Sequence, residues 1–269
     1  MDGRSEALSG SIGMESRGRN GNDPGAHVDG MAILTVVRHG QASFLADNYD
    51  QLSELGRRQA RLLGEHWVRA GVSFGQVFTG PRERQKDTAA IVGEVFRAAG
   101  RGWPEAVVLE ELDEYPAEPV VRTFTPRLAM KHAHIRAWAE EFERSEDVAG
   151  KKKALDRIIQ EVTARWLEGE VEDAAVGTWG EFTARVHKAI GQARAATPKG
   201  GATAVFTSGG PTAAAVQYAT GLSPRATLDL TWMTRNAAYS EFLFDGERFH
   251  LSVFNATPHL GEAELLTYR

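Results

Sequence analysis

The sequence predicts an α/β fold: a three-layer sandwich with a mostly parallel central sheet, an antiparallel edge hairpin and a helical insertion. Two observations carry this expectation. From Ile33 onward, short apolar runs alternate with amphipathic segments of helical period, the pattern of strand–helix–strand units. Near the end, Asp245-Gly246 separates the apolar runs 240–244 and 249–254, a short-range hairpin signal that places antiparallel strands at the sheet edge. Length and composition agree. A chain of 269 residues, 42% hydrophobic and 25% charged, buries a full core without disulfides, and it contains no cysteine.

Residues 1–30 are rich in Gly, Ser, Asn, Asp and Arg and hold no apolar segment able to act as a signal peptide. A disordered N-terminal extension is expected there, with Met31 a candidate start and 31–269 the folded domain. Residues 33–37 form the first strand. Leu55, Gln59, Leu62, Leu63, His66, Trp67 and Ala70 recur at helical spacing between Ser53, a candidate N-cap, and Gly71, a stop. Residues 76–79 read as the second strand, followed after Gly80-Pro81 by a helix that carries Arg82 and Arg84 in its first turn and ends at Gly100. Residues 106–109 read as the third strand. The charged, helix-prone stretch at about 115–175 is the insertion, with Trp138, Phe142, Leu155, Ile158, Ile159, Val162 and Trp166 facing its core. Within it, Lys151-Lys152-Lys153 reads as a solvated loop. A further helix around 182–193 leads into the strand 202–206 and a helix at about 211–220.

Charge and span narrow the partners. Thirty-one basic and 36 acidic residues give a net charge of −5, against the positive field of sequence-independent DNA binding. The apolar run at 31–37 is far short of the roughly 20 residues of a membrane span. Neither nucleic acid nor membrane is expected as a partner. The absence of cysteine suits the cytoplasm.

In open α/β sheets ligands bind beyond the carboxyl ends of the strands. There the sequence places Arg38-His39-Gly40, then Arg82 and Arg84, then Glu114, then Thr207-Ser208-Gly209-Gly210. Guanidiniums, an imidazole, a hydroxyl and glycine-exposed N–H groups at a helix start are donors suited to a phosphate. Alternatives stand beside several of them. Arg82 rivals Arg84 if the helix register slips. Glu110, Glu111, Asp113 and Glu118 rival Glu114. Ser208 is also a good helix cap. His132 and His134 lack a third ligand and read as exposed residues, so no metal is assigned. A serine-hydrolase elbow at Ser208 is excluded because Phe206 stands where a glycine is required.

Arg38-His39-Gly40 at the first strand end, with the later strand–Gly–Gly turn, resembles the histidine phosphatase superfamily, which includes phosphoglycerate mutases and many phosphatases. Further matches follow in order: Leu52-Ser53-Glu54-Leu55-Gly56 with Gln59-Ala60, Arg84 with Thr88-Ala89, Leu112-Asp113-Glu114, Ser208-Gly209-Gly210, Asn236, Phe254-Asn255 and His259-Leu260. The resemblance covers about 32–260. It implies a phosphatase that acts on a phosphorylated small molecule, with a nucleophilic His39, Arg38 and Arg84 on the phosphate oxygens with Ser208 and Gly209 beside them, and Glu114 as proton donor to the leaving alcohol. It implies no cofactor and no metal. His259 matches the closing pattern and stays outside the catalytic set.

Ser208 stands where the family usually carries a second histidine. A neutral hydroxyl donates a weaker bond than an imidazolium, so a phosphoanion-binding protein of weak or no turnover is the alternative expectation. Glu114 is followed by Tyr115-Pro116-Ala117-Glu118 rather than the His-Tyr-Gly segment of a mutase, which argues against mutase activity.

Overall fold

The computed structural model describes residues 30–42 and 50–268; the expected extension lies outside these except for Gly30. Among the described residues the sheet has six strands: β1 (Ala32–Arg38), β2 (Gln76–Thr79), β3 (Ala106–Val108), β4 (Ala202–Thr207), β5 (Tyr239–Phe244) and β6 (Phe249–Ala256). Their order across the sheet is β3-β2-β4-β1-β5-β6. The first four run parallel, with Arg38 of β1 level with Thr207 of β4. The expected hairpin adds β5 and β6 antiparallel at the edge. Its turn is closed by Asp245, whose Oδ1 accepts the N–H groups of Glu247 and Arg248.

Side chains of β1 and β4 alternate between two cores. Leu34, Val36 and Val205 face one side, while Val37, Ala204 and Phe206 face the other. Two helices, α1 (Glu54–Arg69) and α2 (Glu83–Ala98), cover the second side through Leu63, Trp67, Val92 and Phe96. Ser53 caps α1 as expected, its Oγ accepting the Gly56 N–H at 3.0 Å. The other core takes α6 (Trp179–Ala196) and α7 (Gly209–Thr220) through Phe182, Val186, Ile190 and Ala214.

The insertion forms three helices: α3 (Ala117–Lys131), α4 (Ala133–Arg144) and α5 (Val148–Leu167). Lys151, Lys152 and Lys153 are not in a loop but in the first two turns of α5, which Asp147 caps by accepting the Gly150 N–H at 2.7 Å. Their long stems are compatible with helix, and all three heads stay exposed. A helix without a sequence expectation, α8 (Pro224–Met233), follows Ser223, whose Oγ accepts the Ala226 N–H. Ser-Pro is a helix-start signal, but the ten residues carry too weak an apolar period to be singled out. No helix among the described residues is long and apolar enough to cross a membrane.

Past β6, His259 is buried beside Tyr239, with ring centroids 6.4 Å apart, and its ring lies 6.2 Å from that of His66. Burial first, and the His66 charge second, lower its pKa to about 4. An imidazole kept neutral in the fold but free to protonate near pH 6.5 when unfolded stabilises the protein fully above pH 6.5, and the contribution is lost as pH falls toward 4. The shift corresponds to roughly 3 kcal/mol. Urea unfolding of wild type is expected to lose stability more steeply across this window than His259→Leu; equal slopes would remove His259 as the cause.

Candidate active site

The carboxyl ends of β1, β2, β3 and β4 converge. At the first, the His39 N–H donates to the Thr207 carbonyl at 2.8 Å, and its own carbonyl accepts the Ala237 N–H and the Asn236 Nδ2–H. The next residue donates its N–H to Thr88 Oγ1 at 3.1 Å. This turn lies directly on the start of α1: a Cβ on Gly40 would run into the Gly56 carbonyl, and one on Gly56 into the Gln41 carbonyl. Both glycines are required by this close approach of backbone to backbone.

The imidazole is fixed at both nitrogens. Nδ1 lies 2.6 Å from the Gly40 carbonyl, which only accepts, so Nδ1 carries the proton. Nε2 lies 3.0 Å from Nε–H of Arg84, which only donates, so Nε2 presents its lone pair. Burial, then the charges of Arg84 and Arg38, hold the His39 pKa well below 6.5. The ring is therefore neutral at physiological pH, with a defined tautomer.

Arg84 and Arg82 separate clearly. Arg84, with a side chain 9% exposed, also donates through Nη1 to Asp50 at 2.6 Å. Arg82, 43% exposed, forks onto Asp113 at 2.6 and 3.0 Å. The helix register thus turns Arg84 to His39 and Arg82 to the rim. Arg38 donates through Nη1 to the Thr234 carbonyl. Gly209 lies beside this guanidinium: a Cβ there would sit 3.7 Å from the Arg38 Cζ and 3.2 Å from the Thr231 carbonyl oxygen.

Glu114 turns its carboxyl group inward. Oε1 accepts the Tyr115 N–H at 2.9 Å and Oε2 the Gly210 N–H at 3.3 Å. Burial raises its pKa, against these two bonds and the charges of Arg84 and Arg38. A Cβ on Gly210 would run into this carboxylate. The rival acids point elsewhere: Glu111 to Lys188, Asp113 to Arg82 and Glu118 to Arg122, while Glu110 is exposed. Ser208 occupies the N-cap position of α7 but does not cap it with its side chain. Its Oγ instead accepts Nε2–H of Gln85 at 2.8 Å, because that amide reaches it through the core.

Three contributors have no sequence signal of their own. Asp50 pairs with Arg84 and also accepts the Glu83 N–H at 2.9 Å, but stands alone in a polar stretch. Arg185 of α6 donates to the carbonyls of Glu111, Asp113 and Glu114 at 2.8–2.9 Å, tying down the turn that carries Glu114. Gln85 follows Arg84 directly, and only that adjacency could have drawn attention to it. His132 and His134 pair with Glu170 and Glu161 in the insertion. Among the described residues no group of three or more His, Asp or Glu side chains is arranged to hold a metal ion. Two clefts of about 760 and 800 Å³ lie elsewhere, one against Arg194 and the β5–β6 turn, the other among α3, α4 and α5.

Comparisons with known proteins bear on the family and the fold. The model of the histidine phosphatase superfamily (branch 1) matches residues 34–154 and 121–257. No curated protein sequence matches. The fold is similar to that of YhfR from Bacillus stearothermophilus, with TM-score 0.57 and 16% identity, covering 85% of this chain and 99% of that one. It is also similar to a phosphoglycerate mutase from Bacillus anthracis str. Sterne, with TM-score 0.56 and 15% identity over 87% and 97% of the two chains. A phosphoserine phosphatase from Entamoeba histolytica, solved with 3-phosphoglyceric acid, has TM-score 0.56 and 16% identity over 86% and 100%. At such identities these likenesses concern the fold.

Proposed function

The chain belongs to the histidine phosphatase superfamily, and from that premise we propose that it hydrolyses a phosphorylated small molecule, a phosphomonoester, through a phosphohistidine formed at His39. The observation that carries this reading is the imidazole itself, neutral, tied through Nδ1 to the Gly40 carbonyl and presenting the Nε2 lone pair to the Arg84 guanidinium, with the Arg38 charge also lowering its pKa. That is the form a nucleophile needs.

In this reading an arriving phosphoryl oxygen takes over the Nε–H of Arg84 from Nε2, which frees the lone pair to attack phosphorus in line. The bond from phosphorus to the leaving oxygen breaks as Glu114 passes its proton to that oxygen. Arg38 and Arg84, with the Ser208 hydroxyl and the Gly209 N–H, neutralise charge on the equatorial oxygens. Water then attacks the phosphohistidine and gives its proton to Glu114. The phosphorus–nitrogen bond breaks, returning neutral His39 and releasing phosphate. The helices α3–α5 follow directly on the Glu114 turn, and the proposal gives them the shaping of the leaving-group pocket.

The pH profile tests these assignments. His39 must be neutral, which its lowered pKa secures well below pH 6.5, and Glu114 must be protonated, which its raised pKa extends above the usual carboxyl range. Hydrolysis of p-nitrophenyl phosphate in the presence of a chelator is expected to keep its kcat/KM as pH falls through 6.5 and to lose it on the alkaline side. An acid limb near pH 6.5 would overturn the His39 assignment. The other reading, a phosphoanion-binding protein without turnover, is favoured by the neutral Ser208. It requires equal background hydrolysis from wild type and His39→Ala.

A further inference from the structure

Gln85 has one orientation. The Arg82 N–H donates to its Oε1 at 3.0 Å, and a backbone N–H cannot accept, so the amide oxygen is identified by its partner. Nε2 therefore faces Ser208 Oγ at 2.8 Å and the Leu112 carbonyl at 3.4 Å, and can only donate to both. Gln85 and Ser208 are fully buried. The path of the amide is built into the fold: a Cβ on Gly80 would run into Oε1 and come within 2.8 Å of Cδ.

The serine hydroxyl inherits its polarity from this. Its oxygen accepts from Gln85, so its proton points elsewhere, and the Gln85 amide is the one side-chain partner of this hydroxyl among the described residues. A buried hydroxyl donor without an acceptor is costly unless a ligand supplies one. Ser208 stands between Thr207, whose carbonyl holds the His39 N–H, and Gly209, which lies against the Arg38 guanidinium. The missing acceptor belongs where His39 and Arg38 meet a phosphoryl group.

We propose that Gln85 is a positioning residue that locks Ser208 as an outward hydrogen-bond donor to the transferring phosphoryl group, so that the pair together occupies the role of a single charged donor. This deepens the phosphatase reading and rests on it. A hydroxyl free to rotate presents its proton to the ligand only part of the time; one whose lone pair is held by an amide N–H has lost the competing orientation.

The test is a double-substitution cycle on Ser208→Ala, Gln85→Met and both together, read as kcat on p-nitrophenyl phosphate and as affinity for inorganic phosphate by calorimetry. Ser208→Ala is expected to lower kcat by about 10² and Gln85→Met by about tenfold. The double variant should be no slower than Ser208→Ala, because Gln85 acts only through the hydroxyl. Losses that multiply, or a Gln85→Met that keeps wild-type kcat, overturn the proposal. Gln85→Glu serves if the methionine variant fails to fold. It keeps the volume and the Arg82 contact, but its carboxylate accepts a hydrogen bond from the serine O–H and turns it away from the phosphoryl group, so kcat should fall as far as in Ser208→Ala; wild-type kcat there would also overturn the proposal. Wild type and His39→Ala run alongside. If they share one background rate the phosphatase reading fails, and the cycle is then decided on phosphate affinity alone, with the same requirement of non-additivity.

Discussion

His39→Ala is expected to lower hydrolysis of p-nitrophenyl phosphate by about 10⁴-fold or more, the scale on which removal of a covalent nucleophile is felt. The substitution deletes the group proposed to form the phosphoenzyme, while Arg38, Arg84 and Glu114 keep the contacts that hold them to Thr234, Asp50 and Gly210. Phosphate binding should therefore outlast turnover. Rapid quenching of wild type with a labelled substrate should trap an acid-labile, base-stable phosphate that the variant lacks. A variant within tenfold of wild type, or a label that survives acid, would discard His39 as the site of attack. The structural cost should be small by comparison, about 1–3 kcal/mol for leaving the Arg84 Nε–H without its ring acceptor.

Gly56→Ala is expected to be the most damaging of the single-methyl additions around the site, destabilising by about 2–4 kcal/mol and abolishing most activity. The added carbon meets backbone, the Gln41 carbonyl and its neighbours, so no rotamer change relieves it. The chain must part α1 from the turn that carries His39, and the imidazole moves with that turn. Gly191→Ala is the matched control. It lies inside α6 with open space where the methyl would go, and the gain in helix propensity makes it neutral to stabilising. Thermal melts of the two variants check the contrast; a Gly56→Ala protein as stable as wild type would show that the turn can slide off the helix.

What sequence could reveal here follows from the range over which each signal acts. The strands, most helices and the hairpin were legible because period and turn chemistry are local. Arg38, His39, Arg84, Glu114, Ser208 and Gly209 were legible as candidates because the ends of parallel strands point the same way. Asp50 and Arg185 were not, since each matters only through contacts to residues 33–34 or more than 70 positions away. The lysine run at 151–153 misled for a related reason: charge reports solvation, which an exposed helix face and a loop share. Ser208 was visible as a residue, but the direction of its proton depends on Gln85, 123 positions earlier.

The position of β1 in the sheet bears on how this protein is made. Its two neighbours are β4 and β5, both beyond residue 201. A nascent chain emerging from the ribosome therefore carries its central strand, apolar on both faces, with neither edge partner yet synthesised for most of translation. At about 5–20 residues per second this interval lasts on the order of ten seconds or more. The sheet therefore closes around β1 only after residues 202–244 have been made, so its first strand in sequence is among the last to gain both neighbours.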